Sequence, residues 1–273
     1  MKRTLIAVLV AAGCATAPQP LYVDGPQGRL HVVDSGPGAA GIPIFFIHGN
    51  GANLTQWDAQ LRHFAAAHRV VAMDLRGMGR SDVPVDGVYT LDAMVEDLHT
   101  IANTLNLDRF VLVGHSFGGS VVMAYAAAHP ERVAGVVYAD AAGRVQAKPE
   151  QWERYLSALR MDKPKVVREA FEPMLKTASS EVKAAVLKSV DRTSTEVFVE
   201  AMENLRDFDV HRAVRAYPGP VLAIVAMDTP SSFHVQFPNV PLRRIEGVGH
   251  WLMMEKPEEF NALLREWLLA LGS

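Results

Sequence analysis

The sequence predicts an α/β fold: a mostly parallel sheet flanked by helices, with a helical cap inserted late in the chain. Three observations predict it. Short apolar runs of the kind that form strands buried on both faces, at residues 42–47, 110–113 and 133–139, alternate with stretches of helical periodicity. His48, Ser116 and Asp140 each stand just after such a run, and sheets of this class bind ligands beyond the carboxyl ends of their strands. Residues 144–216 break the alternation with charged, helix-periodic sequence and no buried-strand run.

The chain has 273 residues, 49% hydrophobic and 21% charged, with a formal net charge of −3. That is room for one large α/β domain with an insertion, here a core of residues 18–143 and 217–273 and a cap of residues 144–216. The charge gives no electrostatic footprint for nucleic acid. A single cysteine excludes an intramolecular disulfide. The sequence has no zinc-type cysteine spacing and no metal-ligand cluster, and no metal or organic cofactor is expected.

Residues 1–17 read as an export signal outside the fold. Two basic residues precede an apolar run too short to span a membrane, in MKRTLIAVLVAAG. Cys14 follows Ala11-Ala12-Gly13, which resembles a bacterial lipoprotein cleavage site with an untypical alanine three residues before the cysteine. Cleavage after Ala15-Thr16-Ala17 and plain secretion is the competing reading. The expectation is export from a bacterial cytoplasm, either as a periplasmic or outer-membrane lipoprotein tethered through lipidated Cys14, or as a secreted protein.

Residues 21–36 read as a hairpin, two alternating runs around Asp24-Gly25 and Gly28. The buried run at 42–47 ends in His48-Gly49-Asn50-Gly51, where a glycine-rich loop lets backbone come close to a substrate. The N–H of Asn50 is a candidate oxyanion donor there, and His48 is read as a structural hydrogen-bonder. A strand at 69–75 leads into a glycine-punctuated loop in which Asp74 and Arg76 are read as bracing ion-pair residues. Residues 90–105 form an amphipathic helix capped by Thr90.

The centre of the chain is RFVLVGHSFGGSVVMAY, residues 109–125. A buried strand runs into Gly114-His115-Ser116-Phe117-Gly118, and a helix starts near Phe117. A serine on so sharp a turn sits in strained backbone, and side chains at 114 and 118 would strike the neighbouring strand and helix. Gly119 lets the helix approach the sheet. The N–H of Phe117, at the helix start, is the other candidate oxyanion donor.

Within the insertion, Met161, Phe171, Met174, Phe198, Met202 and Phe208 are candidates for the far wall of a pocket, most of them expected to be internal packing. The sheet resumes at 220–227, followed by Asp228, and a last strand at 241–245 precedes Gly247-Val248-Gly249-His250. His234 is expected to face solvent. Pro257 opens a final helix.

His48-Gly49, the run from Asp74 to Ser81, Gly114-His115-Ser116-Phe117-Gly118-Gly119 and Gly247-Val248-Gly249-His250 stand in the order and spacing of the α/β-hydrolase superfamily, which the chain resembles over nearly its whole length after the signal segment. The resemblance implies Ser116 as nucleophile, His250 as general base, and the N–H groups of Phe117 and Asn50 as the oxyanion hole. A serine nucleophile implies an acyl-enzyme and so acyl transfer, and the expected activity is an exported serine hydrolase acting on an ester or related acyl bond of a small to medium, partly apolar substrate. The third triad member is left open. The usual acid follows the seventh strand, three residues after a glycine; here Ala226 takes the glycine position and Asp228 comes one residue early. A minority of relatives place the acid after the sixth strand, where Asp140 stands, and the irregular spacing leans toward it. The alternative to an enzyme is a ligand-binding or sensing protein with little turnover on the same fold.

Overall fold

The computed structural model describes residues 17–272. The signal segment expected at residues 1–17 lies, up to residue 16 and Cys14 included, outside the described residues.

Eight strands form one sheet: β1 (Gln19–Gly25), β2 (Gly28–Asp34), β3 (Gly41–Ile47), β4 (His68–Met73), β5 (Phe110–His115), β6 (Val133–Ala139), β7 (Val221–Val225) and β8 (Leu242–Arg244). Their order is β1-β2-β4-β3-β5-β6-β7-β8. β1 and β2 are the hairpin read from the sequence, and β2 pairs antiparallel with β4. Every other pairing is parallel. β5, which carries the serine turn, lies between β3 and β6.

Helices α1 (Asp58–Phe64), α2 (Leu91–Thr104), α3 (Phe117–Ala128) and α10 (Pro257–Leu271) cover the two faces. Alternate residues of each central strand feed opposite cores. Phe45, Ile47, Val71, Phe110 and Leu112 pack with α2 and α3, whereas Ile44, Phe46, Val70, Val111 and Val113 pack with α1 and α10. This explains why these strands read as unbroken apolar runs instead of alternating ones. Thr90 caps α2, accepting from Ala93 N at 3.2 Å. On α10, Phe260, Leu264 and Leu268 are buried and Leu263 and Trp267 partly so.

Between β6 and β7 the chain leaves the sheet for α4 (Pro149–Phe171), α5 (Ser180–Arg192), α6 (Thr195–Asp207) and α7 (Val210–Ala216). Two single-turn helices, α8 (Phe233–Gln236) and α9 (Leu252–Glu255), follow β7 and β8. α4 kinks at Asp162 (φ −152°, ψ 72°), before Lys163-Pro164, and the Asp162 carboxylate caps the second half by accepting from Lys165 N at 3.1 Å. Proline cannot donate into the helix ladder, which accounts for the break. Among the described residues, no helix is long and apolar enough to cross a membrane.

Asp74 and Arg76 both brace the loop after β4, but with separate partners. Burial pushes the Asp74 carboxyl up; donors from His31 Nδ1 (2.8 Å), Leu54 N (2.7 Å) and Arg80 N (2.8 Å) outweigh that and hold it below its ordinary value. Arg76 pairs bidentately with Asp97 of α2, both contacts 2.7 Å and both side chains buried, and also donates to Val88 O and Ala93 O. Arg76→Met leaves a buried carboxylate without its counter-charge. Urea unfolding is expected to show a loss of about 3–5 kcal/mol, whereas a loss under about 1 kcal/mol would mean the pair contributes little.

Candidate active site

Ser116 follows β5 at φ 53°, ψ −119°, and α3 starts at the next residue. A non-glycine residue there costs on the order of 1–3 kcal/mol, so its surroundings must hold it in place. A Cβ at Gly114 would collide with the backbone of Gly118, and one at Gly119 with Ala141. One at Gly118 would lie 2.5 Å from His48 O, at the end of β3. These three glycines therefore let helix, turn and two strand ends converge beneath the serine. The N–H of Phe117 is one of the free donors at the start of α3.

The loop after β3 comes up beside Ser116. A Cβ at Gly49 would lie 3.3 Å from Ser116 Cβ and 3.1 Å from His115 Nδ1. His48 holds this loop from below: its Nδ1–H donates to Gly49 O at 2.7 Å and its Nε2 accepts from Leu75 N at 3.0 Å. Burial lowers the His48 pKa and keeps the ring neutral, as that pattern requires. His48 is thus the structural hydrogen-bonder expected. The Asn50 side chain donates from Nδ2 to Phe198 O of α6 at 2.9 Å.

His250 lies on the loop after β8, and its Nδ1 is 3.3 Å from Asp140 Oδ2. Asp140 stands directly after β6 at φ 41° and is buried. Its other oxygen accepts from Ala226 N at 2.8 Å and Met227 N at 3.4 Å, at the end of β7. The carboxylate bridges two strand ends and presents its free edge to the imidazole. His250 N donates to Met174 O of the insertion at 3.1 Å, an approach that a Cβ at Gly249 would block.

Asp228 is turned elsewhere. It accepts from His234 Nε2 at 2.6 Å and Arg244 Nη2 at 2.7 Å, and these partners hold its carboxyl below its ordinary value. The structure thus brings Asp140, not Asp228, to His250. His234, expected at the surface, is buried on this pair. The shortened loop after β7 folds back through α8, and that path could not be read from residue types.

A cavity of about 270 Å³ opens over Ser116, His250 and Asp140, with Asn50 and Phe117 also in its wall. It is slightly below the roughly 300–1,000 Å³ of ligand pockets. Of the six insertion residues named from the sequence, Phe171, Met174, Phe198 and Met202 line it. Met161 does not: it is 88% exposed, on the outer side of the α4 kink. Phe208 packs, partly buried, against the core on the α2 and α3 side of the sheet.

Sequence reasoning missed several polar contributors to the wall, among them Gln56, Trp152 and His115. These three residues line the cavity, and Gln56 Oε1, Trp152 Nε1 and His115 Nδ1 are buried with no hydrogen-bond partner among the described residues. Trp152 carried only a helix-packing signal and Gln56 carried none. His115 had one usable signal, its place beside the serine. Its Nε2–H donates to His250 O at 2.9 Å, and the two rings lie 4.6 Å apart. Burial, with His250 adding to it, lowers the His115 pKa well below the ordinary histidine value.

The family described as alpha/beta hydrolase fold matches residues 42–199. The chain is 30% identical over 268 residues to a 2-hydroxy-6-oxononadienedioate/2-hydroxy-6-oxononatrienedioate hydrolase of Burkholderia vietnamiensis, covering 90% of this chain and 92% of that one. It is 37% identical over 118 residues to a 2-hydroxymuconate semialdehyde hydrolase of a Pseudomonas species, covering 42% of this chain and 41% of that protein. Among solved structures, a thermophilic esterase from Thermogutta terrifontis superposes with a TM-score of 0.80 at 27% identity, over 93% of this chain and 100% of that one. The chain belongs to the α/β-hydrolase family and is a hydrolase.

His48 and His115 are buried neutral, with folded-state pKa values below the ordinary 6.5. Below pH 6.5 the unfolded chain takes up protons these two rings refuse, so their contribution to stability is full above that pH and falls as the pH drops. The urea midpoint is expected to decline from pH 7 to pH 5, and less steeply in His115→Gln. An equal decline in the variant would contradict the reading of His115.

Proposed function

We propose that the chain is an exported serine hydrolase that cleaves an ester or related acyl bond of a small to medium, partly apolar substrate. The observation that carries it is the gathering of Ser116, His250 and Asp140 around one cavity, with the Asp140 carboxylate 3.3 Å from His250 Nδ1.

Ser116 Oγ attacks the acyl carbon while His250 Nε2 takes its proton. The Nδ1–H of the imidazolium so formed points at the Asp140 carboxylate, which fixes the ring and offsets its charge. The carbonyl oxygen becomes an oxyanion held by the N–H groups of Phe117 and Asn50. Collapse passes the proton from His250 to the leaving group and leaves an acyl-enzyme. His250 then activates a water, which releases the acid and restores Ser116. No metal or organic cofactor enters this sequence.

The substrate meets an apolar wall of Phe171, Met174, Phe198 and Met202, beside the unpaired Trp152 Nε1–H and Gln56 Oε1. That lining suits an acyl chain with few polar groups. Export rests on residues 1–17, with Cys14 as a lipid tether or with plain secretion.

Hydrolysis of a p-nitrophenyl acyl series by the mature domain tests this reading. The wild type is expected to turn over with an optimum at short to medium chains, and Ser116→Ala to be inactive. Asp140→Asn is expected to lose about 10⁴-fold in kcat, and Asp228→Asn to lose far less, because its carboxylate is paired with His234 and Arg244 and not with His250. A folded wild type with no Ser116-dependent turnover at any chain length would favour the ligand-binding protein. A large loss in Asp228→Asn with none in Asp140→Asn would reverse the choice of acid.

A further inference from the structure

The Asn50 loop is gripped from the insertion side, and the grip leads to a buried lysine far from the reacting atoms. Asn50 Nδ2 donates to Phe198 O in the first turn of α6. One residue on, Gly51 O lies 3.3 Å from Thr193 Oγ1, in the corner between α5 and α6. The Thr193 hydroxyl is also 3.3 Å from Ser189 O. Gly51 has φ +68°, and a Cβ there would come within 2.8 Å of the Phe198 ring. The loop and the α5–α6 corner are therefore in close contact at two successive residues.

Lys163 holds that corner. It is 4% exposed, and its ammonium donates to Val190 O at 2.7 Å and to Thr193 O, at the carboxyl end of α5. It also lies 5.9 Å from the centroid of the Phe198 ring. A cation at a helix carboxyl end satisfies carbonyls that have no intrahelical donor and complements the dipole there. Lys163 directly follows the α4 kink at Asp162.

We propose that Lys163, Thr193 and the Asn50 side chain form a clamp through which the insertion fixes the N–H of Asn50 for the oxyanion. The inference rests on the acyl-transfer reading. Lys163 and Thr193 are positioning residues, since neither borders the cavity. An oxyanion donor acts only as charge develops, so loosening it lowers kcat and leaves ground-state binding almost unchanged. A lysine that merely shaped the pocket would change KM instead.

The test is steady-state kinetics on the preferred p-nitrophenyl ester for Asn50→Ala, Lys163→Met, Thr193→Val and the Asn50→Ala/Lys163→Met double variant. Arg160→Ala, elsewhere on α4, is the control for disturbance of the insertion. Full loss of one donor costs about 10²–10³ in kcat, so a loosened donor is expected to cost roughly 10-fold or more, with KM within about threefold. The double variant is expected to lose less than the product of the single losses, because all three groups act on one loop. Wild-type kcat in folded Asn50→Ala and Thr193→Val overturns the clamp, and so does a change confined to KM. If Lys163→Met does not fold, those two variants decide. If wild type shows no Ser116-dependent turnover, the acyl-transfer reading fails and the clamp falls with it; turnover with unaffected variants sinks the clamp alone.

Discussion

A serine at φ 53° between β5 and α3 leaves its neighbours little freedom. The helix must pass close under the turn, so Gly114, Gly118 and Gly119 have no side chain to spare for packing. β3 and β6 must end at the same level on either side of β5, which brings His48 and Asp140 up beside the serine. The buried apolar residues of the central strands stabilise the arrangement, each by about 1.5–3 kcal/mol. Against that total the strain at Ser116 is small, and the fold can hold it.

Two groups of the proposed machinery are not rigid parts of the sheet. The Asn50 loop and the His250 loop are both connections, and each is tied to the insertion: Asn50 to Phe198 O, and His250 N to Met174 O. The insertion therefore shapes more than the outer wall of the cavity. It sets the backbone of the residues beneath it. This gives a physical reason why the insertion, besides lining the cavity, carries specific polar contacts such as those of Thr193 and Lys163.

Much of this could be read in the residues. The buried strands announce themselves because parallel strands covered on both faces have no polar side to show. The serine turn does so because its glycines answer a steric demand that few other structures make. Thr90 and Pro257 mark helix starts by their own chemistry. What stayed open depends on the path of loops. Asp140 and Asp228 are both carboxylates at strand ends, and only the fold of the chain after β7, which gives Asp228 to His234 and Arg244, separates them. Arg76 finding Asp97, His234 turning inward and Met161 turning outward are of the same kind: each is decided by the path of the folded chain, which residue types alone do not show.

The central claim is that Ser116 carries an acyl group in each turnover. The most direct test is rapid quench of the mature domain with excess p-nitrophenyl ester, followed by intact-mass and peptide mass spectrometry. The predicted result is a protein one acyl group heavier, with the added mass on the peptide containing Ser116 and absent from Ser116→Ala. The same added mass on Ser116→Ala, or undiminished turnover by folded Ser116→Ala, would contradict nucleophilic catalysis by Ser116.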